Sequence, residues 1–111
     1  MEEKTSVNFQ IVLYMQNNIP HELQGVLWSK ELSHIDLEQD KVYVIHQILS
    51  YGNLSHIKWL FSVYGRKGVQ EVFLSAPKKL YERHVFYFIK DIILSLGAKP
   101  LNESLYVKSS S

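Results

Sequence analysis

Residues 36–76 read DLEQDKVYVIHQILSYG (36–52), NLSHIKWLFSVYG (53–65) and RKGVQEVFLSA (66–76). The spacing predicts three short helices joined by tight turns. Asp36 can cap the amides of residues 38 and 39, and Gln39 completes a capping-box pattern. Val42, Ile45, Ile48 and Leu49 then share one helical face. Tyr51-Gly52 stands where this helix stops, with Gly52 as the residue after its C-cap. Asn53 caps the next helix, whose inward stripe is Leu54, Ile57, Leu60, Phe61 and Tyr64. Trp59 lies beside that stripe and is expected to be buried. Tyr64-Gly65 ends it. The third helix starts near Lys67 and turns Val69, Val72, Phe73 and Ala76 inward. Pro77 stops it, because the residue before a proline is pushed out of the helical region.

Working outward, Pro20 can open a short helix carrying Leu23, Val26 and Leu27, since proline at the first position loses no needed donor. Residues 80–96, LYERHVFYFIKDIILSL, read as the longest and most apolar helix. Val85, Phe88, Ile89, Ile92 and Leu96 follow helical spacing, and Phe86 and Ile93 widen the apolar stripe. Gly97 and Pro100 end it. Residues 7–15, VNFQIVLYM, are β-rich but have no partner strand in the chain, so a short helix or extended arm is expected. ESLYVKSSS at the C-terminus reads as a loose tail able to dock through Leu105, Tyr106 and Val107. The expected organisation is an arm or short helix over 1–18, a helical core domain over 19–97 and a tail over 98–111. The fold class is all-α, four or five short helices, with a helix-turn-helix-like unit at 54–76.

A chain of 111 residues with 46% hydrophobic and 21% charged side chains has the size and composition of one globular domain. Without cysteine, disulfides, thiolate zinc sites and cysteine nucleophiles are excluded. The acidic, polar start MEEKTSVN does not resemble a secretory signal, and the longest apolar run, residues 11–15, is too short to span a bilayer. A cytoplasmic location is expected. Charge is uneven: residues 1–65 carry four Lys/Arg against seven Asp/Glu, and residues 66–111 carry eight against four. Such asymmetry can mark an acidic or nucleic-acid partner for the basic half.

Catalytic patterns are missing from the sequence. His21, His34, His46, His56 and His84 form no His-x₃-His pair and sit at no ligand spacing with the acids. There is no GxSxG, GxxxxGKS or GxGxxG motif, and the serines mostly fall at helix ends, where capping explains them. Neither an enzyme nor a cofactor or metal site is expected. Two binding surfaces are. Arg66, Lys67, Lys78, Lys79 and Arg83 lie on and after the second helix of the helix-turn-helix-like unit and could contact phosphates. Tyr81, Phe86, Tyr87 and Ile93 cannot all face one core from a single helix, so that helix is expected to meet a protein partner or a second copy of the chain.

The run from Leu23 to about residue 96 also resembles a family of small bacterial and archaeal helical proteins of uncharacterised function. The likeness rests on Leu27-Trp28, on Ile35-Asp36-Leu37, on Ile45 to Gly52, on Trp59-Leu60-Phe61, on Tyr64-Gly65 and on Glu71-Val72. Members of that family are often encoded beside nucleotidyltransferase-like toxins of the abortive-infection type. The resemblance therefore implies an antitoxin-like binding protein of a toxin–antitoxin system. The other expectation from the residues is a small helix-turn-helix DNA-binding regulator.

Overall fold

Asp36 does the capping expected of it, but one turn early. Its Oδ1 accepts the N–H groups of Glu38 at 2.8 Å and Gln39 at 2.9 Å. The return bond to the Asp36 N–H comes from Asp40 Oδ2 at 2.9 Å, not from Gln39. Asp40 also holds Lys30 at 2.8 Å, so its carboxylate is pulled back across the turn. Residues 37–40 are thereby a turn, and helix α1 begins after them, at Lys41–Tyr51. The computed structural model describes residues 19–108, so the expectations for residues 1–18 lie outside the described residues.

Helix α1 is central. Val44, Ile45, Ile48 and Leu49 are buried, and so are the polar His46 and Gln47 between them. Gln47 donates to the Val26 carbonyl at 3.0 Å, which ties α1 to the 3₁₀ turn His21–Gly25 and its buried Leu23.

Helix α2 spans Leu54–Ser75. Asn53 caps it as expected: its side chain accepts the His56 N–H at 2.9 Å, and His56 Nδ1 accepts the Asn53 N–H at 3.1 Å. Ile57, Leu60, Val63, Val69, Val72 and Phe73 face inward. Leu54 does not; it is 60% exposed. Trp59 is only half-buried, and its indole N–H is enclosed without an acceptor. Gly65 interrupts the helix at φ 76°, ψ 155°. One non-helical residue is too short for the three- or four-residue turn of a helix-turn-helix, so that unit is not shown.

The expected helix over 80–96 is the largest correction. Tyr81 instead forms an isolated parallel bridge with Val107: its N–H donates to the Tyr106 carbonyl at 2.9 Å, and the Lys108 N–H donates to its carbonyl at 2.9 Å. Helix α3 starts only at Arg83–Tyr87 and runs straight into a π-helical stretch, Phe88–Ile93. Each π turn takes in one residue more than an α turn, so the stripe slips. Phe86, Ile89 and Leu94 point inward, whereas Phe88 is 43% and Ile92 64% exposed. Just past its end Ser95 takes φ 54°, two residues before Gly97. The described residues thus hold three α-helices rather than four or five, with short 3₁₀ turns before α1 and after the π-helical stretch.

The C-terminal segment completes the core. Tyr106 and Val107 are buried and Leu105 is exposed. The Tyr106 ring lies 4.7 Å from Phe73 and 5.0 Å from Phe86, and its hydroxyl donates to the Phe73 carbonyl at 2.6 Å. Burying aromatics of this size contributes about 1.5–3 kcal/mol each. His46 pins the same cluster. Its Nε2 lies 2.7 Å from the Ala76 carbonyl, which can only accept, so that nitrogen carries the proton. Its Nδ1 then accepts the Tyr81 hydroxyl at 2.7 Å. Burial pushes the imidazole down to about 4, so the ring is neutral.

Candidate functional site

An apolar groove lies where α1 hands over to α2. Gly52, Asn53, Leu54 and Ile57 form one wall of a groove of about 340 Å³, and Val85, Phe88 and Ile89 of α3 and its π extension form the other. The close turn exists because Gly52 is glycine. A Cβ there would stand 2.7 Å from the Ile48 carbonyl oxygen and 3.0 Å from His56 Cβ. The groove is mostly apolar, and Leu54 and Phe88 expose 60% and 43% of their surface along it.

The four residues expected to face a partner divide. Tyr81 and Phe86 are core residues in this fold, at 0% and 1% exposure. They are claimed by the aromatic cluster that Tyr106 closes. Ile93 is half-buried, and its carbonyl accepts Arg66 Nη1 at 2.6 Å. Tyr87 alone is outward, at 38% exposure, and its hydroxyl donates to Glu103 Oε1 at 2.6 Å. The other oxygen of Glu103 takes Arg83 Nε at 2.6 Å. The Tyr87 hydroxyl and the Arg83 guanidinium together hold the Glu103 carboxyl below its usual range. Leu54, Phe88 and Ile92 were all read from spacing as inward. The π register and the exposed first turn of α2 reverse them, and no local sequence signal marks either.

The five basic residues divide as well. Arg66 reaches Ile93, at the far end of the helix that Arg83 begins, and lies 5.2 Å over the Phe61 ring. Lys67 follows it in α2. Ten residues of helix, roughly 15 Å, separate that end from Arg83. Lys79 and Arg83 instead share a second cleft, about 490 Å³ and mostly polar, with Asn102, Glu103, Ser104 and Lys108. Lys78 is exposed beside Lys79. Among the described residues no group of three His, Asp or Glu could hold a metal ion. No helix among them is long and apolar enough to cross a membrane.

The described residues form a small all-α fold with a preformed apolar groove. Residues 23–73 match the family model of a family of unknown function, DUF6922. The match includes the α1–α2 turn and Leu54 but not the α3 wall of the groove. No curated protein and no solved structure matches the chain.

Proposed function

We propose that this is a non-catalytic binding protein that docks a protein partner through the groove between the α1–α2 turn and α3, as the antitoxin-like partner of a nucleotidyltransferase-type toxin. The observation that carries the docking surface is the exposure of Leu54 and Phe88 on the two walls of one apolar groove. Apolar side chains clustered in a concave, fully formed site mark protein interfaces more than scattered exposed residues do. The partner's class rests on the resemblance of residues 23–96 to proteins encoded beside such toxins. The test is co-expression with the product of the flanking gene. Wild type co-purifies with it, and Phe88→Glu does not while keeping its thermal midpoint. Co-purification that survives both Phe88→Glu and Leu54→Glu overturns the groove as the docking site, and no complex with wild type overturns the toxin-partner reading.

A further inference from the structure

The polar cleft and an exposed aromatic pair form a second continuous surface, distinct from the apolar groove. Trp28 is 58% and Tyr51 41% exposed, with ring centroids 5.0 Å apart and planes tilted by 56°. The Lys108 ammonium lies 5.6 Å from the centre of the Tyr51 ring. Lys108 also lines the cleft with Lys79 and Arg83. Large flat side chains exposed to this degree are costly to leave in water, yet neither ring is drawn into the core.

The charges decide which ligand fits. Lys79, Arg83 and Lys108 line the cleft with one carboxylate, Glu103, and Lys78 is exposed beside Lys79. Glu103 holds Arg83 at 2.6 Å, and Glu82 stands 3.5 Å from Lys108. Among the described residues Lys79 has no ion pair, and the 3.5 Å contact of Lys108 is long for a charge-assisted bond. Lys79, with the exposed Lys78 beside it, is therefore free to meet an anion, and Lys108 can exchange its long, solvent-exposed contact with Glu82 for one. Asn102 Oδ1 accepts from the Ser104 N–H at 3.1 Å and the Ser104 hydroxyl at 2.8 Å, so its amide oxygen is occupied within its own segment while its amide N–H groups remain donors. What remains is a stacking platform with ammonium groups alongside it.

We propose that Trp28 and Tyr51, with Lys79 and Lys108, bind an unpaired nucleobase and its phosphate, supplied by a single-stranded nucleic acid. Aromatic faces take any base, and a basic cleft follows the backbone; together they are the elements of single-strand binding. A duplex keeps its bases stacked inside and offers the aromatic pair nothing. This surface differs from the helix-turn-helix reading because it uses no recognition helix and leaves out Arg66 and Lys67.

The test is anisotropy of a labelled oligothymidine of about ten nucleotides, a span that small single-strand-binding folds contact. The same oligomer as duplex and thymidine monophosphate are the two controls. Wild type binds the single strand at low salt and quenches the fluorescence of Trp28, read as the difference from Trp28→Ala. Trp28→Ala weakens binding about tenfold or more. The Lys79→Ala, Lys108→Ala double variant flattens the salt dependence by up to about two phosphates' worth. Phe88→Glu leaves all of this unchanged, which separates this surface from the protein-docking groove. No retention of the single strand at low salt overturns the proposal. So does duplex binding of equal strength, monophosphate binding as tight as the oligomer, or binding that ignores Trp28→Ala.

Discussion

Two identical dipeptides end helical segments in this chain, and they do so for different reasons. At Tyr64-Gly65 the backbone takes φ 76°, ψ 155°, a conformation available to almost no residue but glycine, while the space around the α-carbon is open. At Tyr51-Gly52 the backbone is ordinary and extended, φ −82°, ψ 170°, and the space is full. The tyrosines differ in the same way. Tyr64 is half-buried and donates to the Leu37 carbonyl at 2.6 Å, fixing α2 to the turn before α1. Tyr51 is exposed against Trp28, and its hydroxyl reaches the Leu80 carbonyl only at 3.4 Å. One pair shapes the scaffold; the other lies between the two clefts, Gly52 in the wall of one and Tyr51 beside the other. A shared motif therefore says that a helix ends, and the neighbours say why.

The largest expected effect concerns the helix that ends at Tyr51-Gly52. Burial holds the His46 imidazole at about 4, below its ordinary 6.5. Between those values the unfolded chain takes up a proton that the folded one refuses, so stability is full above pH 6.5 and falls as pH drops toward 4. At the bottom of that window the loss reaches about 3 kcal/mol. Thermal melts across that range show it, and a His46→Gln variant lacks the His46 part of the slope.

Next come the glycines. Gly52→Ala must displace backbone or the His56 Cβ and is expected to cost about 2–3 kcal/mol, in the range of overpacked sites. Gly65→Ala meets no atom and costs about 1–2 kcal/mol in torsion alone. Asparagine does not rescue position 65, because ψ 155° lies outside the left-handed helical region that it tolerates. Denaturant midpoints check both. Equal tolerance of alanine at the two sites would erase the distinction drawn here. The smallest effects are at the tyrosines: Tyr64→Phe loses about 1 kcal/mol with its hydrogen bond, and Tyr51→Phe stays within about 0.5 kcal/mol of wild type.

The parts of the fold that were legible in the sequence are those decided by neighbouring residues. The Asn53 cap, the break at Gly65 and the stop before Pro77 each follow from one residue's own stereochemistry. The start of α1 was misplaced because Asp40, rather than Gln39, closes the turn on Asp36. The misread helix at 80–96 depends on a partner more than twenty residues away: Tyr81 is held by Tyr106 and Lys108, and periodicity carries no trace of that bridge. The π-helical register that turned Phe88 and Ile92 outward is equally silent. This is why two of the four residues expected at a partner face, Tyr81 and Phe86, are core residues instead. The basic residues were legible as a group but not as two groups, since only the fold puts Arg66 at one end of α3 and Arg83 at the other.

The central claim is that the groove beside Gly52 is where a protein partner docks, and hydrogen exchange of the complex with the flanking gene's product tests it most directly. Protection gained on binding is expected at residues 49–57 and 85–89, the two walls of the groove. Residues 66–75, beyond the second Tyr-Gly pair, are expected to exchange as they do in the free protein. Protection confined to 66–75, or to the cleft around Lys79 and Lys108, would contradict the account.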